Sequence, residues 1–346
     1  MTNTFTFALD AMGGDRAPES ILRGANIARE RHPNLRFKVY GDSARLEPIL
    51  KKLPKLRAIT DITHCALSIP DDLKAAQALR LGADSSMRRA IEAVKKGEAQ
   101  AIISAGNTGA LMALSKMLLG SVPGIHRPAI TAFFPTESNE CVLLDLGANV
   151  VCSADNLVQF ALMGHVFGEA VLGWKRPRIA LLNVGTEHQK GRDEIRDAAA
   201  RLQSNPALNY VGFIEANHIP QGRADVVVTD GFSGNIALKM AEGTASLVSD
   251  YFRQAFRYSW LVKIGYLFIR PAFNKLRARL DPRRYNGAVF LGLKHICIKS
   301  HGRTDALGFA AAIDVAVDMH QQQTIAKLSS LIEAQQPTQS IEASAL

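Results

Sequence analysis

Cysteine is scarce in this sequence, with four residues in 346, and no two cysteines lie close together. Their positions are Cys65, Cys141, Cys152 and Cys297. This spacing fits neither a zinc site nor a disulfide framework. The nine histidines are also scattered, and no His-Glu-x-x-His segment occurs. We therefore predict no structural metal, and we expect most of the cysteines to be core residues.

Two further signatures of enzyme classes are missing. No Gly-x-Gly occurs anywhere in the chain, so the three-glycine fingerprint of dinucleotide-binding proteins is absent. There is also no Gly-x-Ser-x-Gly segment of the kind that carries a nucleophilic serine. The first absence counts against a standard nicotinamide dehydrogenase, and the second leaves no sign of a serine nucleophile.

Long apolar segments are absent as well. No stretch of residues 251–285 reaches the ~18 apolar residues that a membrane-spanning helix requires. The N-terminus lacks the basic segment, apolar run and small-residue cleavage site of an export signal. Hydrophobic residues make up 47% and charged residues 21%, as in soluble globular proteins. We expect a cytoplasmic protein with a single α/β core of two lobes over residues 1–333 and a disordered tail over 334–346.

Positive charge is in excess, with a formal net charge of +9 and a pI near 9.5. This balance predicts an acidic partner, which could be a nucleic acid, an anionic membrane or an acidic protein. The charge is dense in residues 244–284, where we predict a basic amphipathic helical hairpin that protrudes from the core.

Apolar side chains recur at helical spacing in this predicted hairpin, and five of them are our candidates for membrane contact: Phe256, Trp260, Leu261, Ile264 and Leu267. Arginine and lysine residues flank them, as is typical of helices that lie on an anionic membrane surface. A dimer interface with a solvated basic face is the alternative, and the two can coexist. No nucleic-acid-binding motif accompanies the charge, so nucleic acid is not expected as a partner.

Strand and helix patterns alternate along most of the chain. Apolar runs such as Phe5–Leu9 and Val226–Val228 are typical of buried strands, and helical patterns follow them. This alternation predicts an α/β protein with a parallel sheet and right-handed crossovers. Ligands of such sheets bind outside the carboxyl ends of the strands, so we expect a site there.

Two strand-to-helix loops share one frame of small polar residues and glycines. The candidate ligand-binding residues of the first loop are Ser104, Gly106, Asn107, Thr108 and Gly109. Those of the second are Asp230, Gly231, Ser233, Gly234 and Asn235, with Ser233 or Asn235 as the expected helix cap. Glycine allows close backbone approach and a helix N-terminus favours an anion, so the pair predicts a phosphate or carboxylate site. The alternative is that both are ordinary turns of a large α/β protein.

Further candidates follow other strands. Asp10, Gly13 and Gly14 lie after the first strand, where paired glycines permit close approach of a ligand. Lys190 lies between a strand end and a helix, where an ammonium group can neutralise a phosphate or a developing oxyanion. For each group the alternative is a solvated surface loop.

Five motifs, taken in order, resemble the bacterial phosphate acyltransferases of the PlsX family. They are residues 8–15, 104–112, 185–191, 230–235 and Ser300-His301-Gly302. The resemblance runs from about Phe5 to about Val317, and Ser233 stands where many relatives have threonine. It adds His301 to the candidate substrate-binding residues.

The resemblance implies a three-layer α/β/α Rossmann-like fold, similar to that of isocitrate and isopropylmalate dehydrogenases. It implies transfer of a long-chain acyl group from acyl carrier protein to inorganic phosphate, giving acyl phosphate for phospholipid synthesis. It also implies a homodimer at the inner face of the cell membrane, a downstream membrane acyltransferase that uses the product, and no cofactor.

For catalysis we expect Lys190 and Asn235 to bind phosphate or polarise the thioester carbonyl, while the glycine loops supply further hydrogen bonds. Direct attack by phosphate needs no protein nucleophile. A metal- and nicotinamide-dependent dehydrogenase of the same broad fold and a non-catalytic membrane-associated scaffold are the alternatives.

Overall fold

A computed structural model describes residues 4–137, 139–255, 268–271, 283 and 286–335. The five candidate membrane-contact residues between Phe256 and Leu267 lie outside the described residues, as does most of the expected hairpin. The expected tail also lies outside them from residue 336 onward, and the last helix ends at Gln335. Among the helices that are described, none has the length and apolar character needed to cross a membrane.

The described residues form one 11-stranded sheet with helices on both faces. The strands are β1 (Phe5–Asp10), β2 (Leu35–Gly41), β3 (Thr60–His64), β4 (Ala101–Ser104), β5 (Ala129–Pro135), β6 (Glu140–Leu144), β7 (Arg178–Leu182), β8 (Asn209–Ile214), β9 (Val226–Val228), β10 (Ala288–Leu291) and β11 (Ile296–Lys299). The α-helices are α1 (Glu19–Arg31), α2 (Ser43–Leu50), α3 (Pro54–Arg57), α4 (Ala75–Leu81), α5 (Ser86–Lys95), α6 (Thr108–Leu119), α7 (Ala154–Leu172), α8 (Asp193–Gln203), α9 (Gly231–Ala255), α10 (Ala306–Gln321) and α11 (Thr324–Gln335).

Two hydrophobic clusters, one on each face of the sheet, make the expected three-layer architecture. Successive side chains of a strand point to opposite faces, so Phe7 and Leu9 join one cluster while Ala8 joins the other. The first cluster includes Ile21 of α1 and Phe160 of α7. The second includes helices α4 to α6 and is smaller. The α/β/α fold class predicted from the sequence is confirmed.

The prediction of a wholly parallel sheet was wrong at the centre of the sheet. The strand order is β3-β2-β1-β4-β11-β10-β5-β6-β9-β7-β8, and the pairs β11–β10, β10–β5 and β5–β6 are antiparallel. The connection between β5 and β6 spans residues 136–139, and that between β10 and β11 spans 292–295. Parallel neighbours need crossovers of about a dozen residues or more, so these short links admit only antiparallel pairing.

This topology divides the sheet into two parallel halves of opposite direction. Strands β3, β2, β1, β4 and β11 run one way, and β6, β9, β7 and β8 run the other. The carboxyl ends of the two halves therefore do not form one continuous edge. Each half has its own glycine loop at its own strand ends, and the candidate residues fall into two groups.

Candidate active site

The first group, here named the first cluster, surrounds Asp10 at the end of β1. Asp10 is 1% exposed, and its two carboxylate oxygens accept hydrogen bonds of 2.6 Å from the hydroxyls of Ser86 and Ser104. Burial raises the pKa of Asp10, and the two serine hydrogen bonds oppose that rise. This carboxylate thus ties the loop after β4 and the start of α5 to β1.

Glycine is required where the loops of the first cluster meet. A Cβ at Gly13 would lie 2.5 Å from the amide nitrogen of Gly106, so the two backbones pack directly on each other. The next residue, Gly14, has a positive φ of 96°, and the Asp15 amide donates to the Gly302 carbonyl at 2.9 Å. The loops after β1, β4 and β11 therefore form one backbone-packed unit.

Most polar side chains of this unit already form hydrogen bonds within the protein. The side-chain oxygen Oδ1 of Asn107 caps α6 by accepting the Ala110 amide at 2.9 Å. The Nδ2 atom of the same side chain donates to the backbone carbonyls of residues 70, 71 and 73. Thr108 and Gly109 are exposed in the first turn of α6. His301 lies at the surface as well. Its ring is nevertheless partly shielded from water, and this is the main cause that lowers its pKa. The backbone amides at the start of α6 are what this loop can offer to an anion.

The second group, here named the second cluster, is built around a residue that we had not chosen from the sequence. Asp145 follows β6 and is buried, with its side chain accepting the amides of Ile130, Gly147, Ala148 and Asn149 and the side-chain amide of Asn149. Burial raises its pKa against these hydrogen bonds. A signal for Asp145 was present, because Leu144-Asp145 repeats the pair Leu9-Asp10 at the end of a buried strand.

The start of α9 packs on this braced loop. The Gly231 amide donates to the Asn149 carbonyl at 2.7 Å, and a Cβ at Gly234 would lie 2.0 Å from the Asp145 carbonyl oxygen. The exposed Asn235 lies beside Gly147, at 3.7 Å from where a Cβ of that glycine would stand. The second cluster therefore brings Asn235 and the loop after β6 together.

Our expectation that Ser233 or Asn235 caps α9 was wrong. The helix begins at Gly231, so the residue in front of it is Asp230, whose Oδ1 atom accepts the Ser233 amide at 2.8 Å. The Ser233 hydroxyl donates to Oδ2 of the same carboxylate at 3.0 Å, and Arg192 also pairs with it. The helix starts earlier than its apolar pattern because Gly231 and Gly234 allow close packing on the Asp145 loop.

Lys190 lies on a loop that is anchored at both ends. The Asn183 side-chain amide donates to the Lys190 carbonyl at 3.0 Å, and Gly191 has a φ of 89°. Two residues further on, Arg192 ties the loop to Asp230 at the start of α9. The Lys190 side chain is exposed, and no acidic side chain in the described ranges forms an ion pair with it. Its ammonium is therefore available to an anion.

The two clusters are linked through α9 and not by polar contacts between their described loops. No hydrogen bond or ion pair between described residues joins Lys190 or Asn235 to the loop at Ser104. The link between the clusters is α9, which starts in the second cluster and carries Lys239 and Glu242 near the first. Both side chains act on the pKa of His301, and Lys239 also lowers the pKa of Lys299.

Comparison with protein families gives a match over nearly the whole chain. Residues 5–327 match the family described as "Fatty acid synthesis protein". A protein of Rhodospirillum centenum named phosphate acyltransferase is 56% identical over 320 residues, covering 92% of this chain and 90% of that protein. A protein of the same name from Paramagnetospirillum magneticum is 53% identical, covering 92% and 91%.

Comparison with solved structures supports the fold. A phosphotransacetylase from Streptococcus pyogenes superposes with a TM-score of 0.63 at 18% identity, covering 93% of this chain and 94% of that one. At this identity the likeness concerns the arrangement of strands and helices alone. The family match and the sequence identities carry the assignment, and this chain belongs to the phosphate acyltransferase family.

Proposed function

We propose that this protein transfers a long-chain acyl group from the thioester of acyl carrier protein to inorganic phosphate, releasing acyl phosphate and the free carrier for phospholipid synthesis. Membership of the phosphate acyltransferase family supports the reaction class. The structural observation that carries the proposal is the exposed Lys190 ammonium, on a loop held by Arg192 and Asp230 against the N-terminus of α9. An unpaired cation on an anchored loop suits a phosphate.

The proposed reaction is a direct displacement. A phosphate oxygen attacks the thioester carbonyl carbon, a C–O bond forms, and the C–S bond then breaks to release the carrier thiolate, which takes up a proton from water. Lys190 and Asn235 bind the phosphate or polarise the thioester carbonyl, and in the second role they stabilise the oxyanion of the tetrahedral intermediate. No side chain is acylated, so no protein nucleophile is required.

The remaining candidates divide by what their side chains already bind. Asp10 and Asp230 are 1% and 3% exposed and hold the loops, so we assign them to positioning the glycine loops. Gly231, Gly234 and Ser233 shape the start of α9. The fully buried Ser104 holds Asp10, so we assign it to positioning as well. For contact with substrate we keep the exposed or backbone groups of the first cluster: Gly13, Gly14, Gly106, Asn107, Thr108, Gly109 and His301.

An assay of the purified protein with acyl-loaded carrier protein tests this function. Release of free carrier thiol is followed with and without inorganic phosphate, and the acyl product is identified. Release that depends on phosphate and gives acyl phosphate supports the proposal. A folded sample that releases no thiol would refute it. Thiol release that is equal without phosphate would also refute it, since the reaction would then be hydrolysis.

The two alternative functions predict different results. A dehydrogenase would bind nicotinamide and require a divalent metal, but the comparisons match acyltransferases and phosphotransacetylases instead. A membrane-associated scaffold would release no thiol under any condition. It would also have no use for two glycine loops that are each braced by a buried aspartate.

We further propose that the protein is a homodimer that joins two copies of α9. Ile236, Met240, Leu247 and Tyr251 recur at helical spacing and are between 50% and 70% exposed. Such an apolar stripe on a single helix fits a second copy of the same helix.

Light scattering of Met240→Glu should give the mass of a monomer. Ser249→Glu, on the opposite side of the helix, is the matched control and should remain a dimer. If both variants keep the wild-type mass, this face is not the interface.

The remaining partners rest on charge and on the family resemblance. The net charge of +9 suits the acidic carrier protein and an anionic membrane surface. We propose peripheral binding at the cytoplasmic face of the cell membrane, where a membrane acyltransferase would consume the acyl phosphate. Flotation of the protein with liposomes tests this. Binding to anionic vesicles should exceed binding to neutral vesicles, and equal binding to both would contradict the charge argument.

A further inference from the structure

Lys299 is a partly buried lysine that none of the roles above uses. It is the last residue of β11 and lies opposite Ser104, the last residue of β4. Its ammonium donates to the Ala105 carbonyl at 3.3 Å and to the carbonyl of the neighbouring Ser300. Within the described part of the chain it forms no salt bridge, so this buried charge is held by neutral carbonyl oxygens.

The two carbonyl groups belong to loops of the first cluster. Ala105 leads into Gly106 and α6, and Ser300 leads into His301 and Gly302. The third loop of the cluster packs on both, since a Cβ at Gly14 would lie 2.9 Å from the Gly302 carbonyl and 3.0 Å from the Ala105 side chain. Lys299 therefore lies where the three loops meet.

The charges around Lys299 leave the cluster without a paired counter-ion for it. Burial lowers its pKa to about 8, Asp71 and Asp10 act in the opposite direction, and Lys239 from α9 lowers the pKa further. Asp10 is itself a poor counter-ion, because burial raises its pKa and both of its oxygens are taken by serine hydroxyls. His301 and Arg303 follow on the same loop, and Glu242 faces His301 from α9. A buried cation without a carboxylate partner is stabilised by any anion that binds above it.

We propose that Lys299 is a positioning residue of the acyl transfer site, whose ammonium joins the loops after β4 and β11 and gives the first cluster the positive charge that its anionic substrate group requires. This inference rests on the proposed function. It extends that function by adding a second cation for the phosphate, carried by the first cluster, to the cation that Lys190 supplies from the second cluster.

The consequence is a pH dependence that an exposed lysine would not give. The kcat/KM of the wild-type enzyme for phosphate should fall as the pH rises through about 8, because Lys299 loses its proton there. This fall is the alkaline limb of the pH profile of kcat/KM. Lys299→Arg keeps the charge throughout this range, so its profile should lack the alkaline limb. Lys299→Gln should lower kcat/KM by at least about tenfold at pH 7 and should show no limb near pH 8.

Stability separates this role from a merely structural one. The pKa of Lys299 is about 8 in the folded protein and 10.5 in the unfolded chain, so between these values the unfolded state binds more protons. The contribution of Lys299 to the free energy of unfolding therefore rises with pH over the window in which activity falls. If Lys299 only held the fold together, the activity of the wild-type enzyme would rise and fall with its free energy of unfolding as the pH changes. Lys299→Gln would then lose the same fraction of activity at every pH.

The experiment compares wild type, Lys299→Arg, Lys299→Gln and the control Lys294→Gln, an exposed lysine on the β10–β11 link. Each protein is assayed for phosphate-dependent thiol release and for unfolding from pH 6.5 to 10. The proposal predicts that only the Lys299 variants change the alkaline limb. An unchanged limb in a folded Lys299→Arg variant, or wild-type activity in Lys299→Gln, would overturn it.

A measurement on the wild-type protein covers the case in which the variants do not fold. Trace acetylation with acetic anhydride, read by mass spectrometry, follows the deprotonated fraction of each lysine against pH. Lys299 should titrate near pH 8, and saturating phosphate should move that midpoint upward. A midpoint that phosphate does not move would overturn the proposal. If wild type shows no phosphate-dependent thiol release at all, the proposed function fails, and the labelling midpoint separately decides whether an anion binds above Lys299.

Discussion

Replacement of Lys190 with alanine is expected to lower kcat/KM for phosphate by at least about a hundredfold, the effect of removing one preorganised charge from a site where negative charge develops. The free energy of unfolding should stay within about 0.5 kcal/mol of wild type, because substitutions at exposed, unpaired side chains rarely change stability. Lys190 is exposed, and its anchoring contacts to Glu187 and Asn183 use backbone atoms that alanine retains. Activity and stability should therefore separate.

Two further variants make the Lys190 test specific. Lys190→Arg keeps the charge and should recover part of the activity, with the loss concentrated in the KM for phosphate. Lys175→Ala removes an exposed lysine from another part of the surface and should behave as wild type. If Lys190→Ala is folded and turns over normally, Lys190 does not bind the phosphate and its proposed role fails.

Much of the fold could be predicted because each half of the sheet follows local rules. The strand β1 comes from the apolar run Phe5–Leu9, and it is present. The glycine loops before α6 and α9 were also recognisable, since glycine and small polar residues between an apolar strand and an apolar helix have few other structural uses. Their assignment as ligand loops remains a prediction.

The centre of the sheet was mispredicted from information that the sequence did contain. The segment from β5 to β6 has only residues 136–139 between its strands, too few for a crossover. Composition alone does not separate parallel from antiparallel core strands, because both are apolar when helices cover both faces. The length of each link was the better guide, because it identifies β5–β6 and β10–β11 as antiparallel pairs. The antiparallel pairing of β10 with β5 joins distant parts of the chain, so the opposite direction of the two halves could not be predicted from link length.

The residues that sequence reasoning missed depend on contacts between distant parts of the chain. Arg192 pairs with Asp230, and the Lys299 ammonium donates to the Ala105 carbonyl. Neither partner can be identified from the pattern of residues next to it in the sequence. Asp145 is different, because its role parallels that of Asp10. In each half a buried aspartate ends one strand and holds the loop beside a glycine loop from the neighbouring strand.

Gly234 is the position where the packing of α9 on the Asp145 loop should be most sensitive to substitution. A Cβ there would lie 2.0 Å from the Asp145 carbonyl oxygen and 2.8 Å from the Thr229 methyl group, so Gly234→Ala must push α9 away from the loop after β6. We expect a loss of at least about 2 kcal/mol in the free energy of unfolding, since the contact is with backbone that cannot relax by changing a rotamer. Acyl transfer should fall at least about tenfold, because the shift separates Asn235 from the loop at Gly147.

Gly243 on the same helix provides the matched control. A Cβ at Gly243 meets no atom of the described residues within 4 Å, apart from the backbone of its own helix, so Gly243→Ala should leave activity unchanged and raise the free energy of unfolding by about 0.5–1 kcal/mol. The same substitution in one helix should thus have opposite effects on stability. Urea unfolding and phosphate-dependent thiol release measure both quantities. If Gly234→Ala is as stable and active as Gly243→Ala, the close packing of α9 on Asp145 does not hold the site together, and the position of Asn235 must be set by other contacts.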